Sequence, residues 1–205
     1  PVNLASSRQE DLQIMLKIFE IASTINASVI VYHCAYRRGD KKSFEKEVQT
    51  IKMIANKLKS SVLALENTHQ MIDEVLEVVE AVASEKVRLL IDVGHLYIRC
   101  NADRSKFFEQ VEMGLEKTVE IHVHDNFGKP SVGFDESIGK AIHFAYLYGV
   151  GDLHLPLGLG TIPFDDLFAL LKRKFDGFVV LEINDLNRFK ADIPKSLSLL
   201  REKLC

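Results

Sequence analysis

The sequence predicts an α/β fold in which helices alternate with the strands of a parallel sheet. Segments of helical periodicity and short, continuously apolar runs follow one another along the 205 residues, which is the pattern of repeated βαβ units. The apolar runs lack polar alternation, as expected of strands that are covered on both faces. The first four runs start about 26–34 residues apart, a spacing that suits either a doubly wound sheet or a (β/α)8 barrel.

Each helix is predicted from apolar side chains that recur every three or four residues. In the first, Met15 and Phe19 share one face, and Ser7 with Glu10 fits a capping box at its start. Pro163 opens a later helix at a first-turn position. The predicted helices cover residues 8–26, 40–59, 70–84, 104–117, 163–175 and 189–204, with a further helix in 135–148.

Each strand is predicted from a short apolar run that is rich in β-branched residues and bounded by polar segments. The predicted strands cover residues 27–33, 61–66, 87–92, 119–124 and 178–183. No GxGxxG follows the first strand and the sequence has no Walker loop, which counts against a nucleotide-binding doubly wound fold. The length fits a single domain over residues 1–205.

Composition and charge count against several functional classes. The net charge of −3 and the pI of 6.2 argue against a nucleic-acid binder that works by bulk positive charge. No apolar run approaches the roughly 20 residues of a membrane span, and no secretory signal pattern opens the sequence. The three cysteines, Cys34, Cys100 and Cys205, form no CxxC pair or disulfide pattern, so we expect a reducing, cytoplasmic setting.

Every predicted strand carries a histidine or an acidic residue at or near its carboxyl end. These residues are His33, Glu66, Asp92, His122 and Glu182. Because the carboxyl ends of parallel strands meet where ligands bind in such folds, we expect the five side chains to converge. Carboxylates and imidazoles are ligands of Zn²⁺, Mn²⁺ and similar ions. The sequence therefore predicts a divalent-metal site at this edge.

Four further candidate residues follow the strands closely. His95 lies in DVGH after the third strand, and His124 ends the fourth. Asp152 and His154 lie in the Gly-rich stretch GDLHLPLGLG. We expect these residues to add metal or substrate contacts at the same edge of the sheet.

Five motifs occur in order along the chain: LALENT, IDVGH, IHVHDN, DLHLPLGLGTI and VLEIN. This series resembles the xylose-isomerase-like TIM-barrel superfamily, which includes sugar and sugar-phosphate isomerases and epimerases and the endonuclease IV family. The resemblance covers essentially the whole chain. It implies a (β/α)8 TIM barrel with a metal site at the C-terminal mouth.

In the isomerase and epimerase branch, the resemblance implies one divalent ion (zinc, manganese, cobalt or magnesium) and a sugar or sugar-phosphate substrate. The residues that match the metal ligands are Glu66, Asp92, His122 and Glu182. Glu66 and Glu182 would also be catalytic, because isomerisation needs one group to remove a carbon-bound proton and another to return it. The metal would stabilise the enediolate as a Lewis acid. His95, His124 and His154 would contact substrate hydroxyls or a phosphate.

In the endonuclease IV branch, the resemblance implies up to three zinc ions that activate water for phosphodiester hydrolysis in abasic DNA. The matching positions are His33, Glu66, Asp92, His95, His122, Asp152, His154 and Glu182. The long, differently composed segment from His122 to Asp152, and loops poor in Arg and Lys, count against this branch. We therefore expect an isomerase or epimerase, with a zinc phosphodiesterase and a non-catalytic metal-binding relative as alternatives.

The start of the sequence, PVNLAS, resembles the segment that follows the third barrel strand in this superfamily. We therefore expect an N-terminally truncated barrel with about five of the eight βα units, in which Pro1 lies at the exit of a missing third strand. Five parallel strands do not close a barrel. Open edges would favour pairing with another chain, and hence a homo-oligomer.

Overall fold

The chain forms a five-stranded parallel sheet, with the strands in sequence order, in a computed structural model that describes residues 9–36, 38–130, 149–184 and 188–204. The strands are β1 (Val29–His33), β2 (Val62–Glu66), β3 (Val87–Asp92), β4 (Thr118–Val123) and β5 (Phe178–Leu181). All four neighbouring pairs are parallel. The parallel α/β architecture predicted from the sequence is confirmed, as a five-strand half-barrel.

Helices connect the strands. They are α1 (Gln9–Thr24), α2 (Lys41–Ala55), α3 (Ile72–Val82), α4 (Val93–Arg99), α5 (Arg104–Gly114), α6 (Phe164–Lys174) and α7 (Ile193–Leu204), with a 3₁₀ turn at Leu115–Lys117. The sequence predictions omit α4, because the apolar run of β3 continues into this helix without a separating loop. Within the described ranges, no helix combines the length and the apolar character that a membrane crossing needs.

Some predicted features fall outside the described residues. They are the predicted helix at 135–148, the capping residue Ser7, the position of Pro1 and the thiol of Cys205. These expectations stay predictions. The other two cysteines, Cys34 and Cys100, are free and buried, in agreement with the absence of a disulfide pattern in the sequence.

The core lies between the outer face of the sheet and the helices. On the strands, Leu63, Leu65, Leu89 and Ile91 are fully buried in it. Each such side chain contributes about 1.5–3 kcal/mol through removal from water. Helix α5 packs closely on this layer at Gly114, where a Cβ atom would lie only 2.7 Å from a methyl carbon of Leu89. A side chain at this position would therefore push the helix away from the sheet.

The register brings the carboxyl ends of the strands to one edge. His33 lies opposite Glu66, and Asp92 lies opposite His122. Between these two pairs the register is staggered by two residues, because Glu66 lies opposite Leu90 and not opposite Asp92. A stagger of this kind accompanies the tilt of strands in a barrel.

The inner face of the half-barrel carries exposed apolar side chains on its two edge strands, below the polar rim. Because side chains alternate along a strand, Phe178 and Val180 share a face with Glu182, and Val31 shares a face with His33. All three apolar side chains are exposed. In the part of the chain that the structure describes, each edge strand, β1 and β5, is paired on one side only. Among the described residues, the inner surface of both edges is exposed.

Candidate metal centre

The five strand-end residues predicted from the sequence lie along one rim of the sheet. We call His33, Glu66, Asp92, His122 and Glu182 the strand-end group. His33 Nε2 lies 3.2 Å from Glu66 Oε2. At the other end, His122 Nδ1 lies 3.5 Å from Glu182 Oε2 and 4.0 Å from Asp92 Oδ2. The topology thus brings side chains that are far apart in sequence within reach of one another.

His95 joins the two halves of this rim. Asp92 caps α4, since its Oδ1 accepts a hydrogen bond from the backbone N–H of His95 (2.8 Å). This turn places His95 Nδ1 3.4 Å from Glu66 Oε1, while its Nε2 lies 2.9 Å from Asp152 Oδ2. Asn67 fixes the neighbouring strand ends: its Oδ1 accepts from the N–H of Asp92 (2.8 Å), and its Nδ2 donates to the Asp92 carbonyl (3.1 Å).

A second cluster lies beside the rim. We call His95, His124, Asp152 and His154 the loop group. Asp152 Oδ2 lies 2.7 Å from His154 Nε2, and Asp152 Oδ1 lies 3.6 Å from His124 Nε2. The rings of His124 and His154 stack with centroids 3.8 Å apart. His124 Nε2 also lies 3.0 Å from Asp92 Oδ1, so the two groups are in direct contact.

Gly94 makes room for His124. A Cβ atom at this position would lie 2.0 Å from Cε1 of the His124 ring, which is far inside contact distance. The carbonyl of Gly94 in turn accepts a hydrogen bond from Asn126 Nδ2 (3.0 Å). The DVGH sequence therefore needs its glycine for a packing reason, because the fully buried imidazole occupies the space of a side chain.

Asp125 holds the loop that carries Asp152 and His154. Its side chain is almost fully buried, and four backbone N–H groups donate to it over 2.8–3.2 Å. The donors are Asn126, Gly158, Gly160 and Ile162. The loop approaches so closely that a Cβ at Gly160 would lie 2.3 Å from the Asn126 carbonyl oxygen. One buried carboxylate thereby fixes the path of residues 158–162.

The charges at the rim are strongly coupled. Burial raises the pKa of Asp92, but the imidazoles of His124 and His95 lower it to about 2. Burial lowers the pKa of His122, but the carboxylates of Glu120 and Glu182 raise it to about 10. The carboxylates thus favour protonated imidazoles, and the imidazoles favour ionised carboxylates. Without a metal ion, the positive charge at the rim is carried by the protons of the imidazoles.

The loop group has the same character. Burial raises the pKa of Asp152, but hydrogen bonds with His154 and His95 hold it far below its usual range. Burial lowers the pKa of His95, whereas the charges of Asp92 and Asp152 raise it to about 10. A metal ion binding here would replace protons, because imidazole ligands bind metals in the neutral form.

A family model described as a xylose isomerase-like TIM barrel matches residues 2–203. The chain belongs to this family. The resemblance found in the sequence motifs is thus confirmed at the level of the family and its fold. A comparison with curated proteins finds no match.

Solved structures share the fold at low sequence identity. The xylose isomerase domain protein from Planctomyces limnophilus matches with a TM-score of 0.74 and 18% identity, over 98% of this chain and 68% of that chain. The probable 3-DHS dehydratase AsbF from Bacillus anthracis matches with a TM-score of 0.71 and 14% identity, over 98% of this chain and 73% of that chain. D-allulose 3-epimerase from Methylomonas sp. matches with a TM-score of 0.69 and 15% identity, over 99% of this chain and 74% of that chain. Identities this low establish the fold alone.

The donors of this xylose isomerase-like barrel suit a divalent ion. Within the described part of the chain, three sets of side chains have ligand atoms that all lie within 4.8 Å of one another. The sets are Glu66–Asp92–His95, Asp92–His124–Glu182 and the four residues of the loop group. In addition, Nδ1 of His122 and Nδ1 of His124 are buried and lack a hydrogen-bond partner among the described residues. Oxygen and imidazole donors of this kind fit zinc or manganese.

The grouping differs in one respect from the ligand set implied by the resemblance. Glu66, Asp92, His122 and Glu182 do not form a single compact set among the described residues. Glu66 groups with Asp92 through His95, whereas Glu182 groups with Asp92 through His124. The four-ligand set therefore stays a prediction, and His95 and His124, which the sequence also predicts at this edge, contact Glu66 and Asp92 of that set.

Sequence reasoning assigned no role to three residues that support the site, namely Asn67, Glu120 and Asp125. Glu120 had a signal, because it precedes His122 by two residues on the same strand and must face the same way. Asp125 had no readable signal, since three of its four partners are backbone groups more than thirty residues away. Asn67 interacts with the backbone of Asp92 across the sheet, which local sequence does not reveal either.

Proposed function

We propose that the protein is a divalent-metal-dependent isomerase or epimerase of a sugar or a sugar phosphate. One observation carries the proposal: Glu66 and Glu182, from β2 and from just beyond β5, flank Asp92 and His122 in the strand order. Two carboxylates on either side of a metal-binding centre are what proton transfer to and from a sugar carbon requires. The similarity in fold to D-allulose 3-epimerase supports the same class of reaction.

The four residues of the predicted ligand set would hold the ion. They are Glu66, Asp92, His122 and Glu182. When bound, the ion would supply Lewis-acid stabilisation of the enediolate oxygens. Asn67 and the α4 cap hold Asp92 rigid for this purpose. The buried, unpartnered Nδ1 of His122 supports its assignment as a ligand.

The two glutamates differ in environment, which suits different steps. The Glu66 side chain is 3% exposed and lies against His33 and His95. The Glu182 side chain is 42% exposed and contacts His122 and His154. We propose that one carboxylate removes the carbon-bound proton, and that the other, in its acid form, donates its own proton to the enediolate from the opposite side of the sugar. His33, with 66% of its side chain exposed, would contact substrate hydroxyls at the rim.

The test measures ketose–aldose isomerisation and epimerisation on a panel of sugars and sugar phosphates with added Zn²⁺, Mn²⁺, Co²⁺ or Mg²⁺. Glu182→Gln should lower kcat by about 10²–10⁴-fold, because an amide cannot transfer the proton. Glu112→Gln is the matched control, since this exposed carboxylate lies on α5 and faces Lys174. Full turnover in both Glu66→Gln and Glu182→Gln would refute the mechanism.

The loop group favours one alternative function. His95, His124, Asp152 and His154 form a four-donor set of their own, so the chain offers ligands for more than one ion. Several zinc ions would suit phosphodiester hydrolysis of abasic DNA, in which one ion activates water and another stabilises the leaving oxygen. Elemental analysis and a nicking assay on an abasic duplex distinguish the two functions. One ion per chain without nicking excludes the endonuclease; three zinc ions with nicking establish it in place of the isomerase.

A further inference from the structure

Glu120 lies directly below the metal-binding rim. It precedes His122 by two residues on β4, so both side chains face the inside of the half-barrel. The glutamate is 8% exposed and lies opposite Leu90 on one neighbouring strand and Phe178 on the other. Its Oε1 lies 2.8 Å from His122 Nε2. A carboxylate is thus buried between apolar neighbours with the imidazole as its hydrogen-bond partner.

This contact selects one tautomer of His122. A carboxylate in its ionised form only accepts hydrogen bonds, so a 2.8 Å contact with Glu120 stabilises the form of the ring that carries a proton on Nε2. The other nitrogen, Nδ1, is buried and has no hydrogen-bond partner among the described residues. Its nearest charged atoms are Glu182 Oε2 at 3.5 Å and Asp92 Oδ2 at 4.0 Å. A nitrogen lone pair that faces two carboxylates is stable only with a positive charge between them.

His124 also has a buried Nδ1 without a hydrogen-bond partner among the described residues, but its Nε2 lies 3.0 Å from Asp92, itself a residue of the predicted ligand set. His95 and His154 are held differently from His122. His95 has Nδ1 3.1 Å from the Asn67 carbonyl and Nε2 2.9 Å from Asp152. His154 has Nδ1 3.2 Å from the Glu182 carbonyl and Nε2 2.7 Å from Asp152. In both, the two ring nitrogens contact protein atoms at the site itself. In His122, by contrast, Glu120 contacts Nε2 from the side of the strand interior, and Nδ1 faces the rim, where a ligand can bind.

We propose that Glu120 is a positioning residue that fixes His122 in the Nε2–H tautomer, so that His122 binds the divalent ion through Nδ1. The inference rests on the metal dependence in the proposed function, but not on its substrate. A carboxylate that accepts the second N–H of a ligand histidine orients the ring and makes the ligand nitrogen a stronger donor. Glu120 itself touches neither the ion nor the substrate in this scheme.

The first experiment reads the tautomer directly. Long-range ¹⁵N–¹H correlation spectra of the full chain, loaded with Zn²⁺ and with His122 assigned by the missing signals of His122→Gln, distinguish protonated from metal-bound ring nitrogens. We expect Nε2 to be protonated and Nδ1 to be metal-bound. A zinc-bound Nε2, a zinc-free His122 ring in zinc-loaded protein, or a chain that binds no zinc would overturn the proposal.

The second experiment measures zinc affinity by chelator competition. Glu120→Leu removes the acceptor and should raise the zinc Kd by about 10–100-fold. Glu120→Gln keeps an oxygen at the same place and should raise the Kd less than Glu120→Leu does. Glu47→Leu is the matched control, because Glu47 is also a buried carboxylate but contacts Ala35 and Tyr32 beside β1. It should leave the zinc Kd unchanged.

Folding is followed by circular dichroism. If Glu120→Leu does not fold, two other measurements test the proposal. They are the tautomer of His122 in the wild-type protein and the zinc Kd of Glu120→Gln. Wild-type zinc affinity in folded Glu120→Leu would refute the role of Glu120. Neither experiment needs a substrate, so the proposal about Glu120 and the proposed enzymatic function can fail independently. Zinc bound through Nδ1 of His122, without turnover of any sugar, would contradict the isomerase and leave the role of Glu120 intact.

Discussion

The strand-end group and the loop group contain the same kinds of side chain, yet they are held in different ways. The strand-end residues are placed by the sheet itself, since β-strand register puts His33 opposite Glu66 and Asp92 opposite His122. The loop group depends on the buried carboxylate of Asp125 and on tight packing at Gly94. Substitutions in the supporting residues should therefore damage the loop group first and leave the strand-end group in place.

Asp125→Ala should have the largest structural effect. It would remove the acceptor of four backbone N–H groups, and unsatisfied buried donors cost about 1–3 kcal/mol each, although such costs are not additive. We expect the free energy of unfolding to fall by about 3 kcal/mol or more, measured by urea denaturation of the metal-free protein. The ring signals of His154 in ¹⁵N–¹H spectra should also shift, because Asp152 and His154 lose their fixed positions.

The matched control for this experiment is Asp103→Ala. Asp103 caps α5 through one hydrogen bond from Lys106 N–H (3.0 Å) at the surface, so its loss should cost about 1 kcal/mol. Equal destabilisation by Asp103→Ala and Asp125→Ala would contradict the claim that Asp125 organises the loop. So would an Asp125→Ala variant in which the ring signals of His154 are unchanged.

Gly94→Ala should have an intermediate effect. The added Cβ would overlap the ring of His124, and overpacking of this kind costs about 1–3 kcal/mol. We expect the shifted imidazole to weaken the loop group while Glu66 and Glu182 keep their places. Gly39→Ala is the control: no atom lies within 4 Å of its added Cβ, so it bears only the strain of its positive φ of 99°. Unchanged ring signals of His124 in ¹⁵N–¹H spectra of Gly94→Ala would contradict this packing role of Gly94.

The same difference explains how much could be predicted from the sequence. The apolar runs locate all five strands, and their carboxyl ends locate His33, Glu66, Asp92 and His122, because periodicity and parallel pairing are local rules. Asp125 could not be assigned, because its role depends on backbone groups that tertiary structure brings to it. Helix α4 was missed because the apolar run of β3 continues into it.

Asp92, in the strand-end group, and Asp125, which supports the loop group, should respond oppositely to acid. The folded-state pKa of Asp92 is lowered to about 2, because the imidazoles of His124 and His95 outweigh the effect of burial. Its stabilisation is therefore present above the unfolded-state pKa of about 3.9 and is lost as the pH falls toward 2; it amounts to about 2 kcal/mol. The pKa of Asp125 is raised, because burial outweighs its four backbone hydrogen bonds. Its ionisation therefore lowers stability as the pH rises through that raised pKa.

Urea denaturation of the metal-free protein between pH 2 and pH 6 tests this contrast. Asp92→Asn should flatten the loss of stability below pH 4, because the variant has no carboxylate to protonate there. Asp125→Asn should instead steepen the rise of stability with pH, because it removes a group whose ionisation opposes folding. The contrast predicts opposite changes in the two variants, because His95 and His124 stabilise the charge of Asp92 whereas burial destabilises the charge of Asp125. A change of the pH dependence in the same direction in both variants would contradict it.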